Sequence, residues 1–112
     1  MPRQKLLTKK ILKQLPALYS GDKIPTKDKR VIVKFFTPAS NWTWYVLEYD
    51  PEEQVFFGLV DGLELGWGYF SLFEFEKMNE AFYKGKSKQW IERDMNFGTP
   101  FIKDIRELAG RV

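Results

Sequence analysis

The sequence predicts an α+β domain: an antiparallel meander of about four strands flanked by an N-terminal helix, a short helix after the fourth strand and a C-terminal helix. Three observations carry this. A stripe of leucine and isoleucine at three- and four-residue spacing opens the chain. Runs dense in β-branched and aromatic residues, separated by turn-forming dipeptides, fill its middle. Two helix-start signatures, Ser71-Leu72-Phe73-Glu74 and Thr99-Pro100, stand after the last of these runs. The 112 residues, 44% hydrophobic and 17% aromatic, suit one core, so residues 1–112 are read as a single domain.

The N-terminal helix rests on Leu6, Leu7, Ile11, Leu12, Leu15 and Leu18, with Thr8 as a candidate cap and Pro16 as its end or bend. Ser20-Gly21-Asp22 reads as the exit turn and residues 23–30 as a polar loop. Val31 to Phe36 is the first strand and Trp42 to Tyr49 the second. In the second, a period of two places Trp42, Trp44, Val46 and Glu48 on one face and Thr43, Tyr45, Leu47 and Tyr49 on the other. The Trp42/Trp44 face is the one expected to meet the helices. Gln54 to Val60 is the third strand, Asp61-Gly62 a hairpin signal, and Leu63 to Phe70 the fourth strand. The capping box at Ser71 then starts a helix to about Tyr83. Gln89 to Phe97 is read as extended, and Phe101, Ile102, Ile105 and Leu108 give a helical stripe to about Ala109.

Charge is unevenly laid out although the net value is only +3. Residues 1–34 hold ten Lys/Arg against two acids, residues 35–83 hold nine acids against Lys77 alone, and residues 84–112 hold seven bases against four acids. Such asymmetry marks either a contact with nucleic acid or complementary parts that pack on each other. Absent residue types exclude more. With no Cys and no His, disulfide frameworks, thiolate zinc sites, Cys or Ser–His nucleophiles and imidazole-dependent metal sites are all out of reach. No apolar run is long enough to span a bilayer, and Met1-Pro2-Arg3-Gln4-Lys5 leads into lysines rather than an apolar stretch, so a cytoplasmic protein without membrane contact is expected.

Four features are candidate sites. The Trp42-Thr43-Trp44-Tyr45 cluster is either the aromatic core a small domain needs or a sheet face on which single-stranded bases stack. Lys9, Lys10 and Lys13, with Lys29, Arg30 and Lys34, are the cations that would hold phosphates beside Trp42, Trp44 and Tyr45. Gly66-Trp67-Gly68 before a helix lacks both the third glycine of a dinucleotide fingerprint and a Gly-Lys-Ser/Thr ending, so Gly66 and Gly68 read as a bulge or close approach. Glu92 and Asp94, with Glu48 or Glu64, are the carboxylates a Mg²⁺-type hydrolase would need, without the acid–spacer–acid-x-lysine pattern such sites carry.

Three stretches, taken together, resemble a known family. They are Val33-Lys34-Phe35-Phe36-Thr37-Pro38 leading to Ser40-Asn41-Trp42-Thr43-Trp44-Tyr45, Phe56-Phe57-Gly58-Leu59-Val60 with Gly62-Leu63-Glu64 and Gly68-Tyr69-Phe70-Ser71-Leu72, and Ile91-Glu92-Arg93-Asp94-Met95-Asn96-Phe97. In that order they resemble the bacterial domain-of-unknown-function family 2958, over nearly the whole chain. The resemblance implies a small single-domain protein of the kind often encoded on plasmids, integrative elements or phages near genes for DNA handling. It brings no catalytic residue and no cofactor.

The expected function is therefore that of a non-catalytic accessory protein of a mobile genetic element, binding an unidentified protein or nucleic acid. The alternative is direct binding of single-stranded nucleic acid by the aromatic face and the basic N-terminal segment. A carboxylate–metal hydrolase is the minor third reading.

Overall fold

Strand pairing organises the molecule, and every pair in it is antiparallel. The computed structural model describes residues 4–112. Met1 to Arg3, which open the basic N-terminal segment and the supposed leaderless start, lie outside the described residues. Helix α1 spans Lys9–Gln14, followed by strands β1 (Val33–Phe36), β2 (Thr43–Asp50), β3 (Val55–Asp61) and β4 (Leu65–Ser71), helix α2 (Leu72–Tyr83) and the short strand β5 (Glu92–Arg93). The sheet order is β4-β3-β2-β1-β5. Four strands form the expected meander, and the extended segment after residue 89 supplies a fifth at the β1 edge.

Local chemistry explains the helices. Thr8 Oγ1 accepts from the Ile11 N–H at 3.2 Å, so Thr8 is the cap of α1. The leucine stripe continues to Leu18, yet the helix stops at Gln14. Leu15 precedes Pro16 and is extended (φ −75°, ψ 119°), because a proline disfavours helical backbone in the residue before it. Ser71 Oγ accepts from the Glu74 N–H at 3.1 Å and starts α2 where the capping box predicts.

The C-terminal stripe is not an α-helix. It forms two 3₁₀ turns, Ile102–Asp104 and Arg106–Leu108, joined through an extended Ile105. The buried residues Ile102, Ile105 and Leu108 recur every three positions, a spacing that 3₁₀ turns present to one side. The segment is also tied sideways: Val31 N–H donates to the Pro100 carbonyl and Ile102 N–H to the Lys29 carbonyl.

Two apolar layers cover the sheet. One face packs Phe35, Trp44, Val46, Tyr49, Phe56 and Phe70 against Leu72 and Phe75 of α2 and against Leu6 and Ile11. Phe75 is the centre of this layer, with ring centroids 4.8 Å from Trp44, 5.7 Å from Phe35 and 5.8 Å from Phe70. The other face packs Val31, Tyr45, Leu47 and Leu59 under Ile102, Ile105 and Leu108.

The alternation of β2 does not run straight through. Its register against β3 slips between Val46 and Glu48, a β-bulge. Trp44 and Val46 face α2 as expected, but beyond the bulge it is Tyr49 that joins them, and Glu48 points away from α2. Gly58 pairs with Val46 at this point, and a Cβ there would lie 1.9 Å from the Tyr45 carbonyl oxygen, so no side chain fits. Of the glycines expected at a bulge or close approach, Gly68 is close, with a Cβ there 3.1 Å from Val60 Cγ2, whereas Gly66 faces open space and the bulge itself falls at Gly58.

Candidate functional site

Of the cations and rings singled out in the sequence, Lys34 and Tyr45 meet, with Lys34 Nζ 5.9 Å from the centre of the Tyr45 ring, but the set as a whole does not form one surface. Trp44 and Tyr45 are 9% and 1% exposed and point to opposite faces of the sheet, so neither offers a ring to a base. Trp42 is 38% exposed and stacks on Trp44 with centroids 6.0 Å apart. It also roofs Gly62, where a Cβ would fall within 2.5 Å of its ring carbons. Lys9, Lys10 and Lys13 are exposed on α1. The other three cations have internal partners. Lys29 Nζ donates to the Gly21 carbonyl, and Arg30 lies 4.2 Å over the Phe101 ring and donates to the Thr99 carbonyl at 2.7 Å. Lys34 Nζ stands 3.9 Å from Asp94.

The carboxylates are likewise dispersed. Glu92 accepts from the Trp90 indole at 2.8 Å, Asp94 from the Asn96 N–H at 3.0 Å, and strand β1 separates Glu92 from Glu48. Among the described residues no three His, Cys, Asp or Glu side chains come together as a metal would require.

A different surface draws residues together. On the face away from α2, Glu48 of β2, Phe57 of β3 and Tyr69 of β4 lie in one cross-strand row, and Tyr45, Leu59 and Trp67 in the next. The C-terminal turns cover Tyr45 and Leu59 but leave the β4 end open: Trp67 is 46% and Tyr69 56% exposed. Phe57 and Trp67 stack almost parallel, 5.5 Å apart at 7°, and Phe57 meets Tyr69 at 5.0 Å. Tyr19 completes the group from a distant part of the chain, its hydroxyl 3.3 Å from that of Tyr69.

Tyr19 is held there at a cost. Its φ of 69° lies in the left-handed region, which disfavours a side chain carrying a Cβ. The loop is pinned by Glu48, only 5% exposed, whose two oxygens accept from Tyr19 N–H at 2.8 Å and Gly21 N–H at 3.0 Å. A buried carboxylate is expensive unless its lone pairs are filled, and these two amides fill them. Strain supported by a buried charge, delivering a mostly exposed ring to an aromatic surface, is the pattern of a functional position.

The field at this surface is acidic. The Tyr69 hydroxyl is held above its ordinary pKa by the hydrogen bond to Tyr19, by partial burial, and by the charges of Asp22 and Glu48. Strand β4 itself carries no charge, Asp61 of β3 is paired with Arg111, and Lys29 Nζ stands at Gly21 beside Glu48, so the acids that act on Tyr69 are Asp22 and Glu48. Only the start of the basic N-terminal segment lies toward the other edge, where Gln4 and Lys5 bond to Arg93 of β5. Its later part lies at this end, with Lys29 Nζ donating to the Gly21 carbonyl beside Glu48. Sequence reasoning missed Tyr19, Phe57, Trp67 and Tyr69; the alternation of Trp67 and Tyr69 within an uncharged strand was the signal available.

A family model described as "Protein of unknown function (DUF2958)" matches residues 6–105, and the chain belongs to that family. No curated protein and no solved structure matches the chain. No helix among the described residues is long and apolar enough to cross a membrane.

Proposed function

From this family membership and this surface, we propose that the protein is a non-catalytic accessory protein that works by binding another macromolecule, with Tyr19, Phe57, Trp67 and Tyr69 as the contact surface. The role beside DNA-processing or defence components of a mobile element, and the cytoplasmic location, belong to the same reading and rest on the family resemblance. The observation that carries the binding role is the strained Tyr19 placed beside an open aromatic group at the end of the sheet. Interiors of small domains bury their largest rings; rings left stacked on an uncovered face are binding surface.

The single-stranded nucleic-acid alternative is less well supported. It needs cations beside the stacked rings. Here Lys9, Lys10 and Lys13 are on α1, whereas the open rings are on β3 and β4 among acids.

The test is a nuclear magnetic resonance titration that follows the four tryptophan indole N–H signals while a basic peptide, an acidic peptide and a single-stranded oligonucleotide are added in turn. Saturable movement of the Trp67 signal with one of these, with the Trp90 signal fixed, supports the reading. Movement of no signal with any of the three contradicts it. Oligonucleotide binding that moves the amides of α1 and leaves Trp67 alone favours the nucleic-acid alternative.

A further inference from the structure

Strand β4 ends the sheet, and among the described residues no backbone hydrogen bond reaches its outer edge. Natural edge strands are usually guarded by lysine, proline, a bulge or a covering element. Residues Leu65 to Ser71 carry no charge and no proline, and pair with β3 without a register slip. Gly66 is unexplained by the fold itself: its φ is not positive, and a Cβ there would meet nothing within 4 Å. A glycine that neither turns nor packs marks a place where another backbone comes close.

The two sides of this edge differ in chemistry. On the α2 side a shallow groove of about 450 Å³, lined by Trp42, Val60, Leu63 and Gly66 with Glu64 as its charged residue, is mainly apolar. On the opposite side stand the rings of Phe57, Trp67 and Tyr69, with Glu48 in the same row as Phe57 and Tyr69. An added strand presents alternate residues to the two sides.

We propose that β4 is a strand-addition site for an extended segment of a protein partner, one that alternates apolar residues, seated in the Gly66–Trp42 groove, with basic residues laid over Trp67 and Tyr69. Main-chain hydrogen bonds to the free edge supply affinity, and the two rows of side chains supply selection. Basic residues suit the second row on two counts: arginine stacks favourably on aromatic faces, and exposed Asp22, in the loop that carries Tyr19, sets a negative charge near the Tyr69 hydroxyl. This inference rests on the aromatic surface proposed above and names its occupant.

The probe is an alternating arginine–valine peptide of roughly ten residues, long enough to cover a strand. It is compared with its glutamate–valine counterpart and with the same arginine–valine peptide N-methylated at alternate amides. The full-length protein and its Gly66→Val and Trp67→Ala variants are used. Gly66→Val meets open space in the fold and leaves stability intact, while it fills the groove. Saturable binding of the arginine–valine peptide is expected, weakened roughly tenfold or more by N-methylation, by Gly66→Val and by exchanging arginine for glutamate.

No binding, binding indifferent to N-methylation, or binding indifferent to Gly66→Val overturns the proposal. Loss with Trp67→Ala alongside indifference to N-methylation leaves the aromatic surface standing and removes strand addition. Indifference to Trp67→Ala removes both. A peptide-free dimer broken by Gly66→Val makes a second copy of the chain the occupant and overturns the basic-partner assignment.

Discussion

The backbone N–H of Tyr19 donates to Glu48 Oε1 across 2.8 Å, which fixes a left-handed tyrosine beside an open aromatic strand. Tyr19→Gly is the variant that separates strain from packing. It removes a left-handed penalty of about 1–2 kcal/mol and adds a glycine entropy cost of about 0.5–1 kcal/mol. Because the ring is 62% exposed, little burial is lost. Stability in urea should change by no more than about 1 kcal/mol, while binding at the aromatic surface weakens. A large loss of stability with unchanged binding would make Tyr19 a structural residue only.

Glu48→Gln keeps the shape and loses an acceptor. One of the two amides, Tyr19 or Gly21, would then face an N–H₂ donor, at a cost of about 1–3 kcal/mol. Hydrogen exchange should accelerate at these two amides more than at the strand amides of β2. Equal protection in both proteins would show that Glu48 does not pin the loop.

Gly58→Ala and Gly66→Ala should differ in sign. A methyl group at Gly58 collides with the Tyr45 carbonyl at the bulge, and overpacking of this kind costs about 1–3 kcal/mol or more. A methyl group at Gly66 enters open space and lowers the entropy of the unfolded chain, a gain of about 0.4–1 kcal/mol. Urea unfolding of the two variants beside the parent checks both.

These contrasts also mark what the sequence displays and what it hides. Helix α2 was legible because its cap, Ser71, and its inward residues, Leu72 and Phe75, all lie within one turn. The bulge at Leu47 was not, because Trp44 to Leu47 are all apolar or aromatic and buried on both faces, so no change of pattern marks the slip and only the pairing with β3 shows it. The C-terminal stripe of Ile102, Ile105 and Leu108 fits 3₁₀ and α periods about equally over so short a span, and tethering to Lys29 and Val31 decides it. The candidate site was half visible. Trp67 and Tyr69 alternate plainly, but that β4 is an edge, and that Tyr19 arrives above it, are properties of strand order and of the Glu48 contact. Lys10 of α1 lines a cleft with Arg93 of β5, at the opposite end of the strand order from the open rings of β4.

Tyr45 makes alkaline stability a readout of the covered face. Burial, with the charges of Glu107 and Asp61 adding and Arg111 opposing, raises its hydroxyl from 10.0 to about 12. A folded pKa above the unfolded one means that the unfolded chain loses its proton first as pH rises. The Tyr45 contribution is therefore whole below pH 10, declines through the interval up to about 12, and is lost beyond it. Unfolding followed across this interval should show a decline that Tyr45→Phe blunts. An identical decline in Tyr45→Phe would assign it to other groups.

The central claim is that the aromatic end of the sheet meets a macromolecule in the cell. The direct measurement places a photo-reactive phenylalanine analogue at position 67, and at exposed Lys88 as the control, in cells that make the protein. A discrete, protease-sensitive adduct is expected from position 67 and not from the control position. No adduct from position 67, or the same adducts from both positions, would contradict it.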